Sequence, residues 1–387
     1  MRFSVAMNGD EALLEGLSRH PEVDGVYGIS TSIVGGGRSA FGCVTVSRER
    51  VEKQVALAHK HNIKFNYLLN ATCLNNTEYT KETYAEIVEI LEWADRTGID
   101  WITVAIPYLL QVAKERFPRL KVSVSSFANT ESVQRAKQFN DLGADEITLR
   151  ENVNRDFKLL EQLRKSVSCE LQVIANHSCL YWCPFQTYHP NLMSHSSQMR
   201  NRSTKGVVDY CILSCSKAKI TNPEEFIKSR WIRPEDLRHY EDIGIDKFKI
   251  VDRTKTTEWL LKVVEAYSSR RWDGNLADLL NIQQVQSNIP MNRDLVEPLP
   301  ENIQTIRALR NVGTTLFSAR VHIDNSALDG FIDFFKKKDC RASSCDECGY
   351  CRKLTGKAVT VEREVSEAAR LKHKEILGDL ISGKLSL

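Results

Sequence analysis

A chain of 387 residues, 42% hydrophobic and 27% charged, excludes a disordered protein and has room for one large α/β domain with appendages or two ordinary domains. Its formal net charge of +3 neither demands nor excludes nucleic acid, because a local basic patch can sit on a nearly neutral molecule. No stretch approaches the length of a membrane span, and MRFSVAMNGDEALLEGL has no apolar run behind basic residues, so a cytoplasmic protein without a membrane span is expected.

From the first residue to about Tyr267, short apolar β-branched runs alternate with stretches of helical period. The predicted strands are Arg2 to Met7, Gly25 to Ser30, Lys64 to Asn70, Trp101 to Ile106, Lys121 to Ser125, Glu146 to Leu149, Glu170 to Ala175 and Lys247 to Val251. Helices are predicted over Glu49 to Asn62, Lys81 to Thr97, Glu131 to Asn140 and Arg155 to Ser166, where apolar residues recur three and four apart. Eight such units predict an α/β fold, a (β/α)8 TIM-like barrel over residues 1–270. A doubly wound sheet would announce a glycine-rich phosphate loop after its first strand, and none is there. Gly35-Gly36-Gly37 follows the second strand and reads as a flexible loop.

About seventy residues separate the last two strands, an insertion at about 176–245 that should rise from the carboxyl face of the barrel. Beyond Tyr267 the pattern degrades through Pro290, Pro298 and Pro300, and a helix is predicted at Asn302 to Val312. An amphipathic helix follows at Thr360 to Ile381, with Ala368, Leu371, Ile376 and Leu380 toward one face. Residues 271–387 are expected to form a small cysteine-rich accessory domain.

Eleven cysteines carry the chemistry. In a reducing compartment clustered cysteines are ligands or reactive thiols before they are disulfides. Eight fall into two sets of four, the number that holds one tetrahedral zinc or one iron-sulfur cluster. The first set is Cys179 and Cys183 with Cys211 and Cys215, all in the inserted segment. A radical S-adenosylmethionine site would need a further cysteine at position 186, where Gln186 stands. The second set is Cys340, Cys345, Cys348 and Cys351 in DCRASSCDECGYC, a compact run that fits a wrapped cluster better than a two-knuckle zinc. Cys43, Cys73 and Cys169 are isolated and read as packing residues.

His177 beside Cys179 places an imidazole next to the first set, where it can move protons near neutral pH; His189 is a weaker candidate of the same kind. Arg150 and Glu151, and the set Lys249, Asp252 and Arg253, close two strands and can bind a polar substrate or bridge across the barrel top. Asn70 and Asn176 either orient a substrate carbonyl or cap their turns. Lys336, Lys337 and Lys338 read as a solvated helix end. No local peptidase motif such as HExxH or GxSxG occurs.

The runs VSVSSFANTESVQRAKQFNDLGADEITLRENVN, ELQVIANHSCLYWCP, SRWIRPEDL and DKFKIVDRT resemble, in order and context, the collagenase-like peptidase U-32 family over roughly residues 1–270. The matching positions are Ser125, Asn129, Arg150, Glu151 and the segment from Cys179 onward. The resemblance implies a (β/α)8-like barrel with a 4Fe-4S cluster on four cysteines. It also implies either a protease or an oxygen-independent hydroxylase acting on ubiquinone precursors or RNA bases. The chain departs from the family's Ser-Gly-x-Cys turn, having Tyr181-Trp182-Cys183-Pro184, and has no cysteine in IRPEDL, so Cys211 and Cys215 must complete the set.

The reading is therefore an iron-sulfur enzyme with one 4Fe-4S cluster at the barrel mouth. A second iron-sulfur cluster, rather than zinc, is expected in the tail to relay electrons. Its catalytic residues would be His177, Glu151 and Arg150. Its substrate would be a small molecule, RNA or peptide, and an electron donor protein or partner subunit is implied. The alternatives are a peptidase and a non-catalytic, cluster-bearing partner subunit.

Overall fold

The computed structural model describes residues 1–30, 32–37, 46–198, 209–282 and 320–385. Eight strands, β1 (Arg2–Ala6), β2 (Val23–Gly28), β3 (Lys64–Leu69), β4 (Trp101–Val104), β5 (Lys121–Val124), β6 (Glu146–Thr148), β7 (Glu170–Ile174) and β8 (Lys247–Ile250), form a closed barrel. Each pairs in parallel with the next, and β8 pairs with β1. This is the (β/α)8 barrel that the alternation predicts. The strands stop one or two residues short of their predicted carboxyl ends because those residues, Asn70, Ser125 and Ala175 among them, already belong to the loops at the mouth.

Around the barrel run α1 (Ala12–Leu17), α2 (Arg48–Lys60), α3 (Lys81–Thr97), α4 (Pro107–Arg116), α5 (Val133–Asp141) and α6 (Phe157–Ser166). Their starts are set by local chemistry. Ser47, Thr80, Ser132 and Asp156 each accept a hydrogen bond from a backbone N–H of the first turn, which moves the predicted start of α5 from Glu131 to Val133. The insertion holds α7 (Tyr188–Ser197), α8 (Tyr210–Thr221), α9 (Glu224–Lys228) and α10 (Arg238–Glu241), and α11 (Thr257–Ser268) follows β8.

In the tail, β9 (Val321–Ile323) pairs antiparallel with β10 (Val359–Val361), framing α12 (Ile332–Lys337), α13 (Cys345–Cys348) and α14 (Tyr350–Ala358); α15 (Arg363–Ile381) ends it. The buried tail residues Val321, Ile323, Phe331 and Phe335 belong to the same apolar cluster as Phe3, Phe65 and Phe248 of the barrel. Arg233 of the insertion locks this contact, donating to Asn325 Oδ1 (2.9 Å) and to the Leu328 carbonyl and pairing with Asp329 (2.6 Å). The helix predicted at Asn302 to Val312, the three prolines before it and Cys43 lie outside the described residues.

The inward face of α15 differs from the prediction. Ala369, His373, Ile376 and Leu377 are buried, whereas Ala368 and Leu371 are exposed. His373 can face inward because its Nδ1 lies 2.7 Å from the Ala369 carbonyl, which satisfies a polar atom that the apolar pattern had assigned to solvent. Ile376 and Leu377 pack with Leu213 of α8, so the last helix braces the one carrying Cys211 and Cys215.

Asp236, in the turn before α10, is buried with one carboxylate oxygen lacking a hydrogen bond. Burial pushes its pKa up to about 7, against the pull of Arg233. Its unfolded value is about 3.9, so folding retains a proton between about pH 4 and pH 7 and stability falls as pH rises through that window. Asp236→Asn should therefore be more stable than the parent at pH 8, by at most about 4 kcal/mol, with the gap closing below pH 4. Urea unfolding at the two pH values checks this, and an equal gap at both would contradict it.

Candidate functional site

The first four cysteines come together. Cys179 and Cys183 lie in the turn after β7, and Cys211 and Cys215 sit four residues apart on α8, hence on one face. All four line one cavity of about 90 Å³, with His177 and Lys219. Asp209 positions α8, accepting from Ile212 N (2.9 Å) at its amino terminus, and its other oxygen lies 2.9 Å from His189 Nε2 on α7.

Every thiol in this cavity is held above its ordinary range. Burial, then Glu151, lifts Cys179 well above it; burial and Asp209 push Cys211 to about 12; burial pushes Cys215 to about 11; and burial raises Cys183. Neighbouring thiols add to the shift at Cys211 and Cys215. Thiols so held keep their protons at neutral pH, and releasing them requires a compensating positive charge. Lys219 contributes one buried charge, donating to both the hydroxyl and the carbonyl of Ser178, while burial lowers its own pKa.

The spacing of the sulfurs bears on which metal fits. A single tetrahedral zinc, with Zn–S of about 2.3 Å, needs sulfurs about 3.8 Å apart. Among the described residues, which include all eight clustered cysteines, Glu151, His177 and Cys179 form the one group of three or more such side chains with donor atoms within 4.8 Å of one another. No three sulfurs of either cysteine set lie that close together, so neither set is arranged for one zinc.

Against this cavity lies the barrel mouth, a second cavity of about 130 Å³ lined by Asn70, Ser125, Arg150, Glu151, Lys249 and Arg253 among others. His177, Cys179 and His189 line both. Glu151 is buried. Burial alone would raise its pKa, but Arg150, 3.2 Å away, and His177, 3.9 Å away, outweigh it and keep the carboxyl ionised. His177 Nε2 lies 3.8 Å from Cys179 Sγ, completing a line of groups from carboxylate to thiol. Burial drops Lys249 to about 8. Asn70 donates to Ser125 Oγ (3.2 Å), leaving its buried oxygen without a hydrogen bond.

Other residues resolve differently. Asn176 is a brace, donating to the Val251 and Leu279 carbonyls and accepting from Val251 N. The glycine run provides close approach rather than flexibility, since a Cβ on Gly37 would lie 2.7 Å from the Phe127 ring and 3.2 Å from Asn70. Cys169 is buried beneath the barrel and Cys73 lines neither cysteine cavity. Lys336, Lys337 and Lys338 are exposed at a helix end, as predicted. The tail set, Cys340, Cys345, Cys348 and Cys351, lines its own small cavity together with Tyr181, Lys228 and Arg230.

Sequence reasoning missed Lys219, Tyr181 and Arg230. Lys219 was legible, standing four residues after Cys215 on the same helical face. Arg230 carries no local signal, because only the folding of the insertion onto the tail brings it to the second cysteine set.

The model of peptidase family U32 matches residues 36–274, more than half of the chain. A protein of Methanocaldococcus jannaschii described as an uncharacterized protease is 31% identical over 337 residues, 87% of this chain and 89% of that one. A Bacillus subtilis protein described as tRNA hydroxylation protein P2 is 25% identical over 232 residues, 57% of this chain and 72% of that one. A solved structure described as a U32 peptidase covers 64% of this chain and 91% of its own at 22% identity, with a TM-score of 0.49. With its closed eight-stranded barrel and a family match running from the second βα loop past β8, the chain belongs to peptidase family U32.

Proposed function

We propose that this chain is an iron-sulfur enzyme. Cys179, Cys183, Cys211 and Cys215 hold a 4Fe-4S cluster, and the adjoining mouth binds a small molecule or RNA base for redox or oxygen-independent hydroxylation chemistry. The observation that carries the reading is the shared wall. Four thiols, Cys211 buried and Cys179, Cys183 and Cys215 half-buried, line one cavity, and Cys179 and His177 also line a second cavity, with Arg150, Glu151 and Lys249, at the carboxyl end of the barrel, where barrel enzymes place their chemistry. The relative described as a tRNA hydroxylation protein supports the same class of reaction.

When bound, the cluster supplies one-electron transfer beside the substrate. The protein supplies the rest. Glu151, held ionised by Arg150, places its charge 3.9 Å from His177 Nδ1, and His177, which lines the mouth, moves a proton there. Asn70 offers its free oxygen to a substrate N–H or O–H, and Lys249 and Arg253 present positive charge.

One observation favours a peptidase instead, the line Glu151, His177, Cys179, which has the order of an orienting acid, a base and a nucleophile. The elevated Cys179 thiol opposes it, since a nucleophilic cysteine needs a depressed pKa. Cys179→Ala and Cys215→Ala separate the two. The cluster reading expects both variants, prepared anaerobically, to lose iron and acid-labile sulfide from this site to the same extent. Cleavage of a peptide substrate that survives Cys215→Ala and disappears in Cys179→Ala would instead establish the peptidase.

A further inference from the structure

The tail cysteines stand where a negatively charged centre would be matched by buried positive charge. Arg230 is buried, and among the described residues it has no carboxylate partner; its Nη1 lies 3.8 Å from Cys340 Sγ. Arg155, also buried, stands behind it, and Lys228 lines the same cavity. Arg155 is held by the Ile227 and Trp231 carbonyls, but Arg230, buried and without an ion-paired carboxylate among the described residues, calls for an anion, and four thiolates around a metal core are one. The loop is shaped for the purpose. Ser344 and Glu347 form a reciprocal cap that starts α13, and Gly349, at φ 63°, reverses the chain between α13 and α14 so that Cys345, Cys348 and Cys351 wrap one space.

The same cavity is lined by Tyr181, which in sequence lies between Cys179 and Cys183 of the barrel-mouth set. Trp182 adopts the left-handed conformation, φ 51°, a rare state for a bulky residue, at the turn between Tyr181 and Cys183. Arg230 stacks on the Tyr181 ring, its guanidinium carbon 3.6 Å from the centroid. One side chain therefore touches both a sulfur of the tail set and the aromatic ring carried by the barrel-mouth turn.

We propose that Cys340, Cys345, Cys348 and Cys351 hold a second iron-sulfur cluster, and that Arg230 and Tyr181 form the contact through which it passes single electrons to the barrel-mouth cluster. This rests on the reading of the barrel-mouth set given above. A ferredoxin-class carrier gives up one electron and is oxidised as the tail cluster is reduced. The tail cluster is then oxidised as the barrel-mouth cluster is reduced, and no bond or proton changes place. A carrier can reach the tail set, because α13, which carries the half-exposed Cys345 and Cys348, buries no residue.

The test uses the whole chain reconstituted anaerobically, with a photoreduced ferredoxin and, separately, dithionite as reductants. The parent protein should show two interacting reduced clusters in its electron paramagnetic resonance spectrum. Cys348→Ala should lose the interaction and the ferredoxin-driven reduction of the barrel-mouth cluster, while dithionite still reduces that cluster. Tyr181→Leu and Arg230→Met should keep the iron of both sites yet lose the rapid ferredoxin-driven step. Zinc in the tail, or ferredoxin-driven reduction undiminished in Cys348→Ala or in both contact variants, would overturn the relay. A barrel-mouth set without iron in Cys348→Ala would overturn the proposed function itself and the relay with it, whereas a loaded barrel mouth beside a zinc tail overturns the relay alone.

Discussion

Arg155→Met should destabilise the protein by about 4 kcal/mol, because it leaves two buried carbonyls without donors and removes a cation from an aromatic box. The guanidinium donates to the Ile227 carbonyl (2.6 Å) and the Trp231 carbonyl (3.0 Å), and lies 4.3 Å from the Trp231 ring, 4.9 Å from Phe331 and 5.3 Å from Phe335. It thereby ties α6, the insertion and the tail into one unit. Burial brings its pKa down to about 10, so it remains charged at neutral pH. Arg155→Lys should recover only part of the loss, since an ammonium cannot reproduce the planar fork that reaches both carbonyls. Chemical denaturation measures both; a cost below about 1 kcal/mol for Arg155→Met would contradict this account of the joint.

The second large effect lies at the opposite end of the barrel. Lys247 opens β8 and points to the amino-terminal floor, where its ammonium lies 2.5 Å from Glu146 and 3.0 Å from Glu170 and over the Trp101 ring at 4.6 Å. Burial alone would lower its pKa, yet these carboxylates more than offset that and raise it. Lys247→Met should cost about 3–5 kcal/mol by stranding the Glu146 carboxylate, of which 2% is exposed, leaving it the Ser123 hydroxyl as its hydrogen-bond partner among the described residues and Lys249 as a more distant charge. The double variant Lys247→Met with Glu146→Gln should regain much of that loss, because the stranded charge is gone. Additive costs in the double variant would mean that the pair does not act as a unit. Neither change should alter metal content, since the floor of a barrel serves stability and the mouth serves chemistry.

The barrel was legible because its strands are short β-branched runs at regular intervals, and a period-two run between helical runs has few other solutions. Both cysteine sets were legible as fours, and their placement in the inserted segment and the tail followed from counting. The contents of the mouth were half-legible. Glu151, His177 and Lys249 stand at strand ends, where a barrel aims side chains inward, but nothing local distinguishes Asn176, a brace, from Asn70, whose oxygen is left free. Arg230 and Tyr181 were invisible for a different reason. Their roles arise from a contact between Tyr181 in the turn after β7 and a tail more than one hundred residues later in the chain, and no period or spacing encodes a contact of that kind. The face of α15 was misassigned because a histidine whose Nδ1 lies against its own helix's Ala369 carbonyl occupies an inward position.

The central claim is that the barrel-mouth cysteines hold a 4Fe-4S cluster, and Mössbauer spectroscopy of the anaerobically reconstituted Cys348→Ala chain tests it most directly. With the tail set disabled, the account predicts about four iron atoms per chain in the spectrum of a diamagnetic 4Fe-4S cluster, all lost when Cys215→Ala is added. Zinc in place of iron, or an iron signal unchanged by Cys215→Ala, would contradict it.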